Sequence, residues 1–303
     1  MAVVGLGVIG IEIGQALSRL GVEVFGFTID KAIGGLSDPA LQDYAAKTFS
    51  AEFNISYNGV ELVGERDGQL LVRSEDGERL VDKIFLTMGR APSLKGLGLE
   101  NLGLETDQRG LPKFDPNTFL IPNTRIFLVG DANGERNILH EAADEGRIAG
   151  YNAVRADSEC FQRRTLLAIT FSDPNIAIVG KGYRELKAKN IDFIVGKVSY
   201  EGFGRAIIML KEKGLVHIYG DKKSGRILGA EIIAPSGKHL AHLLSWVISL
   251  GLSAHDVLAL PFYHPVLEEG LRSALRDLAR QLQSAPPGLE VLRCQDPPAG
   301  TQV

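Results

Sequence analysis

Apolar residues open the chain as a short run over 1–4, break at a cluster of glycines, resume at helical spacing from 9 to 20, and form a second run over 22–27. A period that switches from strand-like to helical and back is the pattern of a βαβ unit. Its first strand starts at residue 1, and the residues that follow carry fewer strand signals than a parallel sheet normally uses, so further sequence upstream is expected. Over 59–85 the pattern alternates, with turn signals at Arg66-Asp67-Gly68 and Glu75-Asp76-Gly77. This predicts an antiparallel meander ending in a strand over 83–87.

Residues 89–122 are rich in Gly, Pro and Asn and read as a connection between units. A strand over 126–129 then runs into Gly130-Asp131 and a helix over 139–152, a second strand-turn-helix arrangement suited to a cofactor. Beyond Cys160, strands are predicted over 176–179, 191–195, 206–210, 215–219 and 227–233, with a hairpin turn at Ser224-Gly225, followed by helices over 238–250 and 267–283. The last residues, 284–303, carry Pro286, Pro287, Pro297 and Pro298 without periodicity and read as a mobile tail. No repeat at solenoid periods is visible.

At 303 residues the chain exceeds one average domain, and 45% hydrophobic against 23% charged residues is a globular balance. The net charge of -4, with no basic block to track a phosphate backbone, argues against a nucleic-acid partner. No apolar run reaches the ~18 residues of a bilayer-spanning helix. Gly5, Gly7 and Gly10 interrupt the N-terminal apolar stretch, so it does not read as a signal peptide, and a cytoplasmic location is the default. Cys160 and Cys294 form neither a disulfide framework nor a thiolate metal site, and His239 and His242 lack a third ligand, so no metal is expected.

Gly5-Leu6-Gly7-Val8-Ile9-Gly10 is a GxGxxG set between strand and helix. Gly5 permits the tight turn, Gly7 lets a pyrophosphate approach the backbone, and Gly10 packs helix against strand, with the helix N-terminus facing the phosphates. The acidic residue usual at the end of the second strand is absent: the strand ends at Phe27-Thr28, with Asp30 beyond it and no arginine beside it to take a ribose phosphate. NAD is expected rather than NADP, which is not excluded.

The segments Thr87-Met88-Gly89-Arg90-Ala91-Pro92, Asn123-Thr124-Arg125-Ile126-Phe127-Leu128-Val129-Gly130-Asp131-Ala132 and Leu139-His140-Glu141-Ala142-Ala143-Asp144-Glu145-Gly146 resemble pyridine nucleotide-disulfide oxidoreductases. Pro261-Phe262-Tyr263-His264-Pro265-Val266-Leu267-Glu268-Glu269 is similar to the C-terminal active-site motif of the dihydrolipoamide dehydrogenase and glutathione reductase branches. The resemblance implies an α/β chain with a Rossmann-like NAD-binding domain over 1–88, the C-terminal part of an FAD-binding domain over 89–155 and an α+β dimerisation domain over 160–283. It implies that Glu12, Thr28, Val60 and Gly89 line the nicotinamide cofactor beside the three glycines. Asp131 would bond the flavin ribityl chain, and Asn137, Ile138, Leu139 and His140 would lie near the isoalloxazine edge. His264 would be the general acid/base and Glu269 its partner, since histidine titrates near neutrality and a carboxylate orients the ring while it shuttles a thiol proton.

The resemblance further implies a homodimeric, FAD- and NAD-dependent dithiol/disulfide oxidoreductase acting on a small-molecule or lipoyl-domain disulfide. Family members begin with another GxGxxG for FAD and a CxxxxC redox pair, neither of which this sequence contains, so a truncated chain inactive by itself is expected. Two alternatives stay open: a noncatalytic NAD-binding and dimerisation module, or an enzyme of the glutathione reductase, mercuric reductase or soluble transhydrogenase type. Phe262-Tyr263 and Glu268 depart from the residues common in dihydrolipoamide dehydrogenases, which puts the substrate in doubt. From the residues alone, Asp131 reads equally as a helix cap and His264 as a helix-entry residue before Pro265.

Overall fold

The computed structural model describes residues 1–282, 289–291 and 294, so most of the tail expected over 284–303, and Gln283, lie outside the described residues. The chain divides into two compact units, one of Met1–Met88 with Thr165–Val303 and one of Gly89–Arg164.

In the first unit, β1 (Ala2–Val4), α1 (Val8–Arg19) and β2 (Phe25–Phe27) form the βαβ element. A tight turn over Ile33–Gly35 leads to α2 (Pro39–Ser50) and β3 (Asn54–Ser56). The meander β4 (Glu61–Arg66), β5 (Gln69–Ser74) and β6 (Gly77–Val81) precedes β7 (Ile84–Leu86). The parallel sheet runs β3-β2-β1-β7, so the strand supply is larger than the sequence pattern suggested. β3 is three residues, too short to show a period, and the strand expected over 83–87 as the end of the meander is β7, which pairs parallel with β1 instead. One face packs Val3 and Leu6 against Ile11, Leu41, Ala45 and Phe49 of the two helices, while the other packs Ala2, Phe25 and Phe27 against Val72 and Val81 of the meander.

The same unit continues with β8 (Leu167–Thr170), β9 (Asn175–Gly180), α4 (Tyr183–Ala188), β10 (Phe193–Ser199), α5 (Gly204–Ile208), β11 (Leu215–Asp221) and β12 (Ile227–Ala234). These strands make an antiparallel sheet in the order β10-β11-β12-β9-β8. The helices α6 (Gly237–Ser249), α7 (Ala254–Leu258) and α8 (Glu269–Ala279) follow, and Leu240, Leu244, Leu271 and Leu275 pack on Val216, Ile218 and Ile232. Residues 206–210 are not the strand their apolar run predicts. Ala206 alone is buried, and Ile208 and Leu210 are exposed, because a single helical turn offers one small residue to the core and turns the rest outward.

The second unit carries α3 (Leu139–Ala153) and a small core of Leu111, Ile121 and Leu128. The strand expected over 126–129 is reduced to a single bridge between Leu120 and Phe127. Phe119 and Asn123 take positive φ on either side of it, which bends the chain before a ladder can extend. Among the described residues, no helix is long and apolar enough to cross a membrane.

The two halves of the first unit are joined by buried polar groups. Asp38 caps α2, its Oδ1 accepting from the Ala40 N–H at 3.0 Å, while Oδ2 accepts from His217 Nδ1 at 2.8 Å and the Tyr219 hydroxyl at 3.1 Å. Burial pushes the Asp38 carboxyl up, but the bonds from His217, Ala40 and Tyr219 outweigh it and hold the group below the usual aspartate range. A depressed folded-state value means that this contribution to stability is present above the ordinary aspartate pKa and is lost as pH falls through the lower folded value. Asp38→Asn should therefore cost about 1–3 kcal/mol at neutral pH and flatten the acid side of a plot of thermal midpoint against pH. An acid limb of undiminished slope in the variant would show that Asp38 contributes nothing there.

Candidate functional site

The glycine loop is built so that two of its three glycines are closed in and one is open. Gly5 takes φ +91°, and a Cβ there would lie 2.8 Å from the Thr87 carbonyl oxygen. A Cβ on Gly10 would lie 1.8 Å from the Gly5 carbonyl oxygen, so α1 packs on the turn with no room for a side chain. A Cβ on Gly7 would meet nothing within 4 Å. Gly7 is also the N-cap of α1, where no side chain bonds the free N–H groups, and the next residues, Val8 and Ile9, are 42% and 45% exposed. A twelve-residue helix thus presents its N-terminal N–H groups and dipole to open space over a bare backbone, which is what a pyrophosphate requires.

Thr87 holds this turn: its hydroxyl lies 2.9 Å from the Val4 carbonyl oxygen and 2.6 Å from that of Gly5, and its N–H donates to Val4. That role was not read from the sequence, although Thr87 stands in a motif quoted above. Glu12, on the next turn of α1, accepts from the Phe171 N–H at 2.7 Å. Thr28 sits at the open end of the sheet, its N–H donating to the Ser56 carbonyl and its carbonyl accepting from the Gly59 N–H, and Val60 packs partly buried on the cluster of Ala2, Phe25 and Phe27. Asp30 Oδ1 accepts from the Ala32 N–H at 2.9 Å, and the exposed Lys31 pairs with Asp43 at 2.8 Å.

His264 and Glu269 form a second cluster. His264 Nδ1 lies 3.0 Å from both carboxylate oxygens of Glu269, of which Oε2 also accepts from the Val266 N–H at 3.2 Å. The bond from His264 holds the Glu269 carboxyl below its usual range against the upward push of burial, with the Val266 N–H helping. An ionised Glu269 requires the hydrogen on Nδ1 and leaves Nε2 as the reactive nitrogen. The His264 side chain is 81% exposed. The helix-entry alternative does not hold, since α8 begins at Glu269 and not at Pro265. Among the described residues no hydrogen bond joins this pair to the glycine loop.

In the second unit, Asp131 lies in a tight turn over Gly130–Asn133 and caps no helix. Arg90 bonds its carboxylate at 2.5 Å and the Asn137 carbonyl at 3.0 Å, a clamp not read from the sequence. Glu145 on α3 accepts from the Gly130 N–H and the Asn133 side chain and pairs with Arg163, which fixes the turn from behind. Asn137 and Ile138 lead into α3, whose first residues, Leu139 and His140, are exposed. The Asn137 Oδ1 is buried with no partner. Gly89 takes φ +105°, and a Cβ there would meet nothing within 4 Å. Cys160 and Cys294 are free and exposed, and among the described residues no three potential metal ligands cluster.

Residues 1–146 match the family model of pyridine nucleotide-disulphide oxidoreductase, and residues 167–275 match that of the family's dimerisation domain. The mitochondrial dihydrolipoyl dehydrogenases of Sus scrofa and Homo sapiens are each 31% identical to the chain over 293 residues, covering 90% of it. The chain spans about half the length, 55%, of these relatives. Two solved structures share the fold. The HOCl-induced flavoprotein disulfide reductase RclA from Escherichia coli has a TM-score of 0.78 at 22% identity, covering 91% of this chain and 63% of that one. LpdA from Mycobacterium tuberculosis has a TM-score of 0.79 at 24% identity, covering 91% of this chain and 61% of that one. With both of its halves matched, the chain belongs to the pyridine nucleotide-disulphide oxidoreductase family.

Proposed function

We propose that the chain serves a flavin-dependent dithiol/disulfide oxidoreductase of the dihydrolipoamide dehydrogenase type. Residues 1–88 take NAD, residues 89–155 take part of FAD, and residues 160–283 form a homodimer. The observation that carries this reading is the glycine loop, closed at Gly5 and Gly10 and bare at Gly7, in front of the N-terminus of α1.

The residues present fit both cofactors in kind. For NAD, the open cradle at Gly7 and the free N–H groups of α1 take the pyrophosphate, and Thr28 and Val60 flank the adenosine end. Lys31 is engaged by Asp43, and no arginine stands beside Asp30 in the sequence, which favours NAD over NADP. For FAD, Asp131 offers an exposed carboxylate to ribityl hydroxyls, Arg90 fixes its orientation, and the orphaned Asn137 Oδ1 is an acceptor in want of a donor. Bound flavin supplies the electron relay between dithiol and nicotinamide.

His264 Nε2 takes a proton from the dithiol as it is oxidised, and Glu269 stabilises the resulting imidazolium through Nδ1. Exposure of the ring within one chain suits a group that completes a site on a second subunit. The dimerisation-domain match and the exposed Leu243 and Trp246 of α6, with Leu250 at its C-terminal end, support that assembly.

The test is dithiol-dependent reduction of NAD, followed by the absorbance of NADH, in a flavin-loaded dimer of the chain completed with the FAD and CxxxxC segments that family members carry. Dihydrolipoamide should support the reaction in proportion to the dithiol added. A nicotinamide reaction independent of any dithiol or disulfide would refer the chain to different chemistry.

A further inference from the structure

Glu231, in the middle of β12, is fully buried, yet its carboxylate is bonded by four donors from elsewhere in the unit. Oε2 accepts from the Ser37 N–H at 2.7 Å and the Asp38 N–H at 2.9 Å. Oε1 accepts from the Tyr183 N–H at 2.8 Å and from the Ser37 hydroxyl. A buried carboxylate with this many donors is expensive to remove, because each donor then lacks an acceptor away from water.

The segment held in this way continues back to the glycine loop. Leu36 and Ile33 are buried in the core shared with Leu6, Ile176 and Ile233, and the turn between them is closed by the Leu36 N–H bonded to the Ile33 carbonyl. Within that turn the Gly34 N–H donates to the Leu6 carbonyl at 2.9 Å. Leu6 lies between Gly5 and Gly7, so a path of hydrogen bonds and short backbone links runs from Glu231 in the antiparallel sheet, through Ser37 and the turn, into the loop. Gly34 takes φ +60° and a Cβ there would lie 2.6 Å from Ile176 Cδ1, so the turn packs closely on the Ile176 side chain of β9.

We propose that Glu231 is a positioning residue for the dinucleotide-binding loop, setting the affinity for the nicotinamide cofactor through Ser37, Asp38 and the Gly34–Leu6 bond. The proposal rests on the reading of that loop as the NAD site. Glutamine at 231 presents one oxygen and one NH2 group, so whichever way it turns, it faces at least one N–H donor with another donor.

The experiment compares the wild-type chain, Glu231→Gln, Ser37→Ala and Val216→Ala, the last a core truncation in the neighbouring strand that serves as a destabilised control. Amide hydrogen exchange at Gly34 and residues 5–11 is measured, together with the NADH dissociation constant well below the thermal midpoint. Glu231→Gln should speed exchange at these amides and raise the dissociation constant about tenfold, within the ordinary range of coupling between sites. Ser37→Ala, which removes one donor to Glu231 and the acceptor of the Arg184 N–H, should move both in the same direction by about threefold. Val216→Ala should lower the midpoint and move neither.

Wild-type exchange at Gly34 in Glu231→Gln overturns the proposal, and Ser37→Ala decides in the same way should the glutamine variant fail to fold. Equal shifts in Val216→Ala also overturn it, as they would reflect general loosening. A wild-type chain that binds no NADH refutes the cofactor reading, while the exchange data still decide whether Glu231 fixes the loop.

Discussion

Gly7→Val is expected to raise the NADH dissociation constant by about 100-fold or more while leaving the thermal midpoint nearly unchanged. The two halves of this expectation have separate causes. A valine Cβ at this position meets no protein atom within 4 Å and sits on extended backbone at φ -66° and ψ -163°, so the folded chain accommodates it. Loss of a glycine N-cap to a β-branched residue costs no more than about 1 kcal/mol. The branched side chain does fill the space through which a pyrophosphate reaches the N–H groups of α1. Gly10→Ala is the contrasting change, because its Cβ falls 1.8 Å from the Gly5 carbonyl oxygen and would force helix and strand apart. It should lower the midpoint and cofactor affinity together. Calorimetric melting with parallel NADH titrations separates the pair, and a large loss of stability in Gly7→Val would remove the cradle from the account.

His264→Ala is expected to slow dithiol oxidation in the assembled enzyme by about 100-fold or more, the usual effect of removing a general acid/base. The NADH dissociation constant and the midpoint should stay at wild-type values, since the ring is largely exposed and bonds only Glu269 among the described residues. Glu269→Gln should give a smaller loss, because Nε2 remains while the carboxylate that orients the ring and stabilises its charged form is gone. Steady-state kinetics with dihydrolipoamide check both, and a His264→Ala enzyme at wild-type turnover would place proton transfer on another group.

The glycine loop, the meander and the hairpin between β11 and β12 were legible because each is local: a period, a turn residue and a partner strand lie close together in the chain. The His264–Glu269 pair was legible for the same reason, its members standing five residues apart. Helix α2 was not read, although Asp38-Pro39 is a start signal and the structure uses Asp38 as the cap. Its apolar residues, Leu41, Tyr44, Ala45, Ala46 and Phe49, are interrupted by Gln42, Asp43, Lys47 and Thr48. The apolar run at 206–210 misled in the opposite sense, since β-branched residues on one exposed turn resemble a strand.

The buried polar groups were beyond reach altogether. His217 and Asp38 stand 179 residues apart, and Glu231 and Ser37 stand 194 apart, so no spacing rule connects them. Sequence reading treats an isolated Glu in an apolar strand as an exception, and only the fold shows four donors converging on it. Thr87 and Arg90 belong to an intermediate class. Both lie in a motif that pointed to the family, but their tasks, holding the glycine turn and clamping Asp131, depend on partners brought in by the fold.

The central claim is that the Gly5–Gly10 loop is a nicotinamide dinucleotide site, and an equilibrium fluorescence titration of the purified chain with NADH, run beside Gly7→Val, tests it most directly. The account predicts saturable binding at one site per chain for the wild type and about 100-fold weaker binding for the variant. Equal affinity in the two proteins, or no binding by a folded wild-type chain, would contradict it.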